Sequence, residues 1–409
     1  MATEHIKPHV LIVGAGLAGL ALAQCLRKQG IPFEIFERSA SKDIRPEGWS
    51  IGIHTMLHEL KSSIPSDMPD LREATHNLNP LKLSTQIVLH FDGQRLGVEE
   101  SPEAPALRVN RPRFRNWLAT NIPVQWGKRL VGLETKTREG KTVLRFEDGT
   151  TAKGDVVVGA DGVYSAVREH LLQRRNNELL RIIPTGSIYG EVTLSGAAFE
   201  NQLSLGHSAA VVKVDDICRL FVMIDEVSPD GNTGKYFWGL MWADEESPNP
   251  DHWLRTASQS RKLEYVLDKI AALESKFTNT VRMTPVSSIK ITPWDHRDAE
   301  ITEIPVSKVT IIGDAAHPMA PYRGEGGVHG IIDALKLAEA LAQVDLDSDT
   351  KTVETAVGSY LAEMIPRTLS ASRMSRNAPT GYWGNKAVVW GHVVKPLPEE
   401  KISLESIRP

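Results

Sequence analysis

The sequence predicts an α/β protein in which a parallel-sheet domain is split by an α+β block carrying an antiparallel sheet, followed by a helical C-terminal region. Three observations predict this. The stretch HVLIVGAGLAGLALAQCLRKQGIPFEIFERS, near the start of the 409-residue chain, reads strand–helix–strand. Between residues 181 and 290 the pattern changes to short strand-like runs separated by turn signals. From Val309 the α/β texture returns, with an apolar strand, a glycine-rich loop and a helical repeat.

Val10 to Val13 is a continuous apolar run, as a strand buried on both faces requires. Leu17 to Lys28 is rich in Ala and Leu and reads as a helix, with Gly30 as its stop. Phe33 to Phe36 is a second strand, ending at Glu37. Residues 41–85 show no clean period. Thr85 to Phe91 has strand character, and Asp92-Gly93 marks a hairpin-type turn. Arg111 to Asn121 is helical, with Phe114, Trp117 and Leu118 on one face. Thr142 to Phe146, Asp148-Gly149 and Asp155 to Val158 read strand, turn, strand, and the second strand runs into GADGVYSAVREHL, whose end is helical. In the middle block Ser187 to Leu194, Ala209 to Val214, Arg219 to Ile224 and Tyr236 to Trp242 read as strands, and Leu254 to Leu273 as a helix. Val309 to Ile312 is again a strand. Gly330 to Leu341 is helical, and residues 352–376 hold another helix, kinked at Pro366. The tail KPLPEEKISLESIRP is Pro-rich and charged and has no core of its own. The N-terminal strand–helix–strand unit needs further strands, and those at Asp155 and Val309 are the candidates.

Composition narrows the function classes. Lys plus Arg number 47 and Asp plus Glu 51, a formal charge of -4, which argues against a nucleic-acid partner. Only Cys25 and Cys218 occur, with no C-x-x-C pair, so neither a disulfide scaffold nor a thiolate metal cage is expected. The 13 histidines show no H-E-x-x-H spacing, and no metal site is predicted. The start MATEHIKPHV is polar, without the apolar core of a signal peptide, and no apolar run is long enough to span a bilayer. A soluble protein of a reducing, cytoplasmic compartment is the expectation.

Gly14, Gly16 and Gly19 form G-x-G-x-x-G between the first strand and the helix, a Rossmann-like arrangement. Gly14 permits the tight turn, Gly16 the close approach of backbone to a pyrophosphate, and Gly19 helix–strand packing. The helix N-terminus offers free N–H groups and the positive end of its dipole to phosphate. Glu37 ends the second strand, about 18 residues past Gly19, where a carboxylate accepts hydrogen bonds from ribose hydroxyls and repels a 2′-phosphate. The fingerprint predicts a dinucleotide without choosing between FAD and NAD.

Three motifs in order, GAGLAG at 14–19, GADGVYSAVR at 159–168 and GDAAHPMAPYRGEGG at 313–327, resemble the single-component FAD-dependent (group A) monooxygenases, the para-hydroxybenzoate hydroxylase-like family. RVNRPRFRNWL and VQWGKRL are similar to its fungal secondary-metabolism branch. The resemblance implies FAD as cofactor, NADPH or NADH as co-substrate, and transfer of one oxygen atom from O₂ to an electron-rich aromatic, indole, alkaloid-like or alkene small molecule. It implies that Gly14, Gly16, Gly19, Glu37, Arg38 and Gly48 hold FAD together with Arg111 and Arg115 on one helix face. Asp161 would organise the loop near the pyrophosphate, Asp314 would accept a ribityl hydroxyl, and Gly326 and Gly327 would aim N–H groups at the flavin ring. It divides the chain into a discontinuous FAD domain (1–85, 106–180, 286–345), a substrate domain (86–105, 181–285) and a C-terminal helical region with tail (346–409).

Where the family often has G-Q-G-x-N, this chain has Glu325 and Val328. Arg323 is a candidate for a catalytic role or for a structural salt bridge to Glu325. Tyr189 and Tyr322 are candidate substrate-side acids, bases or hydrogen-bond donors, while His207, Trp238 and Met241 on the same predicted sheet are more often packing residues. His317 fits a loop-holding role. Two alternatives stay open. One is a flavin halogenase on the same core, although its W-x-W-x-I-P pattern is absent. The other is a non-redox FAD-fold cyclase or isomerase.

Overall fold

The computed structural model describes residues 6–42, 48–135, 140–291, 295–348, 350–381 and 387–408. The first five residues of the polar N-terminal stretch and Pro409 of the tail lie outside them. The chain runs β1 (Val10–Val13), α1 (Leu17–Gln29), β2 (Phe33–Glu37), β3 (Ile51–Ile53), β4 (Gln86–Phe91), β5 (Gln94–Glu99), β6 (Leu107–Val109), α2 (Arg111–Leu118), β7 (Val124–Trp126), β8 (Val156–Gly159) and α3 (Ala166–Leu172). Then come β9 (Thr185–Ser195), α4 (Gly196–Leu205), β10 (Ala209–Lys213), β11 (Cys218–Val227), β12 (Thr233–Ala243), α5 (Gln259–Lys269) and α6 (Ser275–Arg282). The last part holds β13 (Val309–Ile311), α7 (Gly326–Ala342), α8 (Val353–Gly381), β14 (Val388–Val389), β15 (His392–Val393) and β16 (Lys395–Pro396).

The parallel sheet has five strands in the order β13-β8-β1-β2-β7. β8 therefore pairs with β1, and β13, from beyond the middle block, pairs with β8, so the N-terminal unit gains both strands. Every residue of β1 and β8 is buried, which is why these strands are apolar without alternation. Helix α1 stops at Gly30, whose φ of 67° is left-handed. Helices α1 and α7 pack against each other within one core with the sheet.

The seven-stranded sheet has the order β9-β12-β11-β10-β4-β5-β16. It is antiparallel except where β10 pairs with β4. One face, with Ile188, Leu220, Val222, Trp238 and Leu240, forms a second core with α4 to α6. The other face is turned away from that core.

Four sequence expectations shift. The strand after Asp148-Gly149 that pairs with Thr142–Phe146 is Thr151–Gly154, and β8 joins the other sheet. The helix expected from Leu254 begins at Gln259, because Ser258 Oγ accepts from Arg261 N at 3.2 Å and fixes the start there. Helix α8 continues through Pro366. The tail rests on the seven-stranded sheet: β16 pairs with β5, and Leu404 enters the second core.

Candidate active site

The glycine loop is shaped by backbone-to-backbone approach. Gly14 has φ 109°, and a Cβ there would lie 2.3 Å from the Ala160 carbonyl oxygen. A Cβ at Gly19 would lie 2.1 Å from the Gly14 carbonyl oxygen. Gly16 is the N-cap of α1 and has no side chain to cap it, so the first-turn N–H groups are left for an anion. Glu37 is 2 % exposed. Its Oε2 accepts from Ala15 N at 2.9 Å, and its Oε1 accepts from Ser39 N and Oγ at 3.0 and 2.9 Å. A cleft of about 120 Å³ opens beside it, lined by Gly14, Glu37, Arg38, Lys128, Asp161 and Tyr164.

Helix α2 directs Arg115 toward this loop and lays Arg111 on Gly48. Arg115 Nε donates to the Ala15 carbonyl at 3.0 Å and its Nη1 to the Lys42 carbonyl at 3.3 Å. Arg111 lies on Gly48, where a Cβ would fall 2.4 Å from the arginine Cδ and Nη1. Asn110 starts the helix by accepting from Arg113 N at 3.1 Å.

Asp161 accepts from Ser165 Oγ at 2.5 Å and from the N–H groups of Ala166 and Val167 at 2.7 and 3.3 Å. Burial raises its carboxyl pKa, and those three donors oppose the rise. Asp161 thus holds the start of α3. From that helix the buried Arg168 reaches across and donates to the carbonyls of Asp314 and Ala315 at 3.2 and 3.0 Å. The two loops that follow β8 and β13 are fastened together by this one side chain.

Asp314 is exposed at the end of the buried strand β13, and its carboxylate makes no hydrogen bond among the described residues. A Cβ on Gly326 would lie 3.8 Å from Asp314 Oδ1, so the carboxylate stands at the mouth of α7. Gly326 and Gly327 open that helix, again without a side-chain cap. Arg323 and Glu325 form a two-pronged ion pair, 2.9 and 2.8 Å, with only 12 % and 13 % of the side chains exposed.

Beneath the loop lies Asp333, fully buried on α7. Its Oδ2 accepts from Gly313 N at 2.8 Å and pairs with His317 Nε2 at 2.5 Å, and its Oδ1 accepts from Arg367 Nη2 at 2.8 Å. Burial pushes the Asp333 pKa up, but His317 and Arg367 outweigh it and hold the carboxyl below its ordinary value. His317 thus sits in a loop-holding contact.

The open face of the seven-stranded sheet meets these loops. Pairing of Tyr189 with Gly239 and of Gly239 with Phe221 puts those residues on one face, with Phe237 and Met241 two positions away along β12. Trp238 points the other way and donates to Thr284 Oγ1 at 2.8 Å. His207 pairs with Glu400 at 3.0 Å, away from the loops. Trp49 stacks on Phe237 at 4.6 Å and lies 5.3 Å from Tyr189. The Tyr189 hydroxyl is 2.9 Å from His296 Nε2, and the His296 ring is 5.9 Å from that of Tyr322. Arg219 lies 5.1 Å over the Tyr322 ring, and the Tyr322 hydroxyl donates to Thr185 Oγ1. Burial raises the phenol pKa of Tyr189 and Tyr322 and pushes His296 down to about 4. All three are therefore neutral at pH 7. Gly239 makes room for this arrangement: a Cβ there would be 2.5 Å from Phe221 Cζ and 2.8 Å from Tyr189 Cδ1.

The structure therefore brings Gly14, Glu37, Arg38 and Asp161 to one cleft and Asp314, Gly326 and Gly327 to one helix mouth, with Arg115 reaching the glycine loop and Arg111 lying on Gly48. Tyr189 and Tyr322 are joined through His296, while Arg323 pairs locally with Glu325. Sequence reasoning missed Trp49, Phe221, Phe237, Arg219, His296, Arg168 and Asp333. Strand parity was the available signal for Arg219 and Phe221, which alternate with the apolar Leu220 and Val222. The residues present suit FAD: two helix mouths without side-chain caps, an exposed carboxylate between buried loops, and an acid at the ribose position.

Comparison with known proteins gives a consistent answer. Residues 7–356 match the family described as FAD binding domain. The chain is 44 % identical over 403 residues to "FAD-dependent monooxygenase thnD" of Trichoderma harzianum, covering 97 % of this chain and 99 % of that protein. It is 30 % identical to "FAD-dependent monooxygenase phnB" of Penicillium herquei, covering 88 % of each. Among solved structures, 2,6-dihydroxypyridine-3-hydroxylase from Arthrobacter nicotinovorans superposes with a TM-score of 0.69 at 20 % identity, covering 98 % of this chain and 100 % of that one.

Proposed function

The chain belongs to the FAD binding domain family and is an FAD-dependent monooxygenase, and from that premise we propose that it uses NAD(P)H and O₂ to put one oxygen atom into an electron-rich aromatic small molecule of fungal secondary metabolism. The observation that carries the aromatic substrate is the ring-lined sheet face of Trp49, Tyr189, Phe221 and Phe237, joined through His296 and Arg219 to Tyr322. Flat apolar walls with few polar groups suit an aromatic ligand.

FAD, when bound, supplies the redox chemistry, accepting reducing equivalents and activating O₂. The protein's work is to hold and to orient. The first turn of α1, behind Gly14, Gly16 and Gly19, offers N–H groups to the pyrophosphate. Glu37 would hold the adenosine ribose with Arg38 beside it. Arg111 and Arg115 would add positive charge for the phosphates, and Asp314 would accept a ribityl hydroxyl. The N–H groups at Gly326 and Gly327 would stabilise negative charge on the reduced flavin. Asp161 holds the glycine loop's partner segment in register.

On the substrate side, Tyr189 keeps its proton and shares it with neutral His296. The neutral Tyr189–His296 pair gives this face a polar point that would orient a substrate phenol. Tyr322 and Arg219 close the neighbouring wall, and the Arg323–Glu325 pair fixes the loop that carries Tyr322. The stacked rings keep water from the reacting atoms.

The test uses FAD-loaded enzyme with a panel of mono- and polyhydroxylated aromatics. Stimulated NAD(P)H oxidation, O₂ uptake and a product heavier by one oxygen atom support the reading. Product formed only with added halide, or no reductant consumption with any aromatic, refutes it.

A further inference from the structure

The open sheet face extends well beyond Tyr189. Cross-strand pairing runs one row through Tyr189, Gly239, Phe221, Val211 and Leu89, and the next through Glu191, Phe237, Met223, Ala209 and Ile87. At the far end of these rows Ile87, Leu89, Leu96 and Val98 are covered by the C-terminal hairpin of β14 and β15, forming a third apolar cluster with Val389, Trp390 and Val394. At the near end Tyr189 and Phe237 are met by Trp49, and Phe221 by Tyr189 and Phe237. Between the two ends, Phe221, Val211 and Met223 are only half-buried, although their neighbours in the rows, Tyr189, Phe237, Ala209, Leu89 and Ile87, are fully buried. Short ribbon β3–β6 crosses opposite: Arg108 of β6 reaches Met223 Sδ at 2.9 Å, and Gly52 of β3 meets the Trp390 indole.

The hairpin turn is the unusual part. Val389 pairs with His392, so Trp390-Gly391 is a two-residue loop, with φ values of 54° and 79°. Such a loop favours Asn-Gly or Gly-Gly, and a bulky residue at a positive φ is rare. Turn chemistry therefore does not account for tryptophan here; the side chain does. Trp390 is 6 % exposed, its Nε1 would touch a Cβ on Gly52 at 2.9 Å, and its ring lies 6.2 Å from that of His54. Held strain of this kind points to a function for the side chain.

We propose that Trp390 is the end wall of the substrate compartment, and that the strip Phe221–Val211–Met223 between Trp49 and Trp390 is the floor on which fused aromatic rings lie, so that Trp390 sets how many rings the enzyme accepts. This rests on the aromatic-substrate reading above and adds the determinant of size.

The test titrates FAD-loaded enzyme with phenol, 2-naphthol and 2-hydroxyanthracene and reads the change in the flavin absorption spectrum, which reports binding without turnover. Trp390→Ala is expected to tighten 2-hydroxyanthracene by about tenfold relative to phenol, the scale of one methylene group in an apolar pocket. Val211→Phe, at a half-buried position that tolerates added volume, is expected to weaken the two- and three-ring probes by about tenfold and to spare phenol. An unchanged ring-count preference in Trp390→Ala protein that retains wild-type circular dichroism and FAD content overturns the proposal. If Trp390→Ala does not fold, Val211→Phe decides alone: wild-type binding of all three probes overturns it. Should the wild-type enzyme bind none of the probes and yet oxidise NAD(P)H with a non-aromatic substrate, the aromatic reading fails first and this inference falls with it.

Discussion

Replacing Asp333 by alanine removes one acceptor from three donors at once: Gly313 N, His317 Nε2 and Arg367 Nη2. Breaking a buried charge pair costs about 3–5 kcal/mol, and leaving the Gly313 N–H without a partner adds about 1–3 kcal/mol. Arg367 keeps Glu363, at 2.7 Å, and is 19 % exposed, so its share falls at the low end. A loss of about 4 kcal/mol follows, a large part of the roughly 5–15 kcal/mol that holds a domain folded. At about 2 °C per kcal/mol for a large domain, Tm drops by about 8 °C. Because Gly313 and His317 bracket Asp314, FAD affinity falls as well, by about tenfold or more. The assay is thermal unfolding followed by circular dichroism and by release of flavin fluorescence, with FAD titration of the apoprotein. Asp333→Asn retains an acceptor for Gly313 N–H and recovers part of the loss. A melting temperature within 1–2 °C of wild type, with unchanged FAD affinity, would refute the idea that Asp333 anchors the loop.

Acid should unfold the protein early. Burial pushes His54, His90 and His296 down to about 4 and His76 to about 3, against about 6.5 in an unfolded chain. Above pH 6.5 their stabilisation is complete; as pH falls toward 4 the unfolded chain binds the extra protons, and each histidine costs about 1.4 kcal/mol by pH 5.5. A urea titration series from pH 8 to pH 5 checks this, and a flat midpoint across that range contradicts it. Asp314→Ala should bind FAD at least about tenfold more weakly, since a charged hydrogen bond is worth about 1.5–3 kcal/mol; equal FAD content would show that the carboxylate faces something else. Tyr189→Phe should lower kcat/KM for phenolic substrates by about tenfold, or 1.4 kcal/mol, while NAD(P)H oxidation without product increases; unaltered coupling would remove Tyr189 from the site. Gly239→Val should displace the Phe221 and Tyr189 rings, 2.5 and 2.8 Å from its Cβ, and abolish aromatic binding while FAD content is retained; a spectral titration measures both.

The cofactor half was legible because its constraints are local. An apolar strand, three spaced glycines and an acid after the next strand act within one strand–helix–strand unit, and backbone contacts at Gly14 and Gly19 follow from that spacing. Asp314 and Gly326 were legible by motif and stand together at the mouth of α7. The ring-lined sheet face depends on pairing between distant strands. Arg219, Phe221 and Met223 share one parity on β11, but only the register with β10 and β12 shows that this parity faces the loops. His296 and Trp49 lie in irregular segments with no period at all, and are brought to Tyr189 by tertiary packing. Asp333 is one of four polar side chains on α7, and nothing local to it announces Gly313 or Arg367. The helix through Pro366 shows the reverse: a local breaker is overridden when the flanking turns are packed.

The parallel sheet is closed by β13, made about 150 residues after its neighbour β8. At ribosomal speeds of roughly 5–20 residues per second that gap lasts roughly 8–30 s. Throughout it the nascent chain carries an apolar strand with an open hydrogen-bonding edge, a template for association with other chains. The same late strand delivers the segment with Asp314, so the sheet edge and that loop are completed by one stretch of chain.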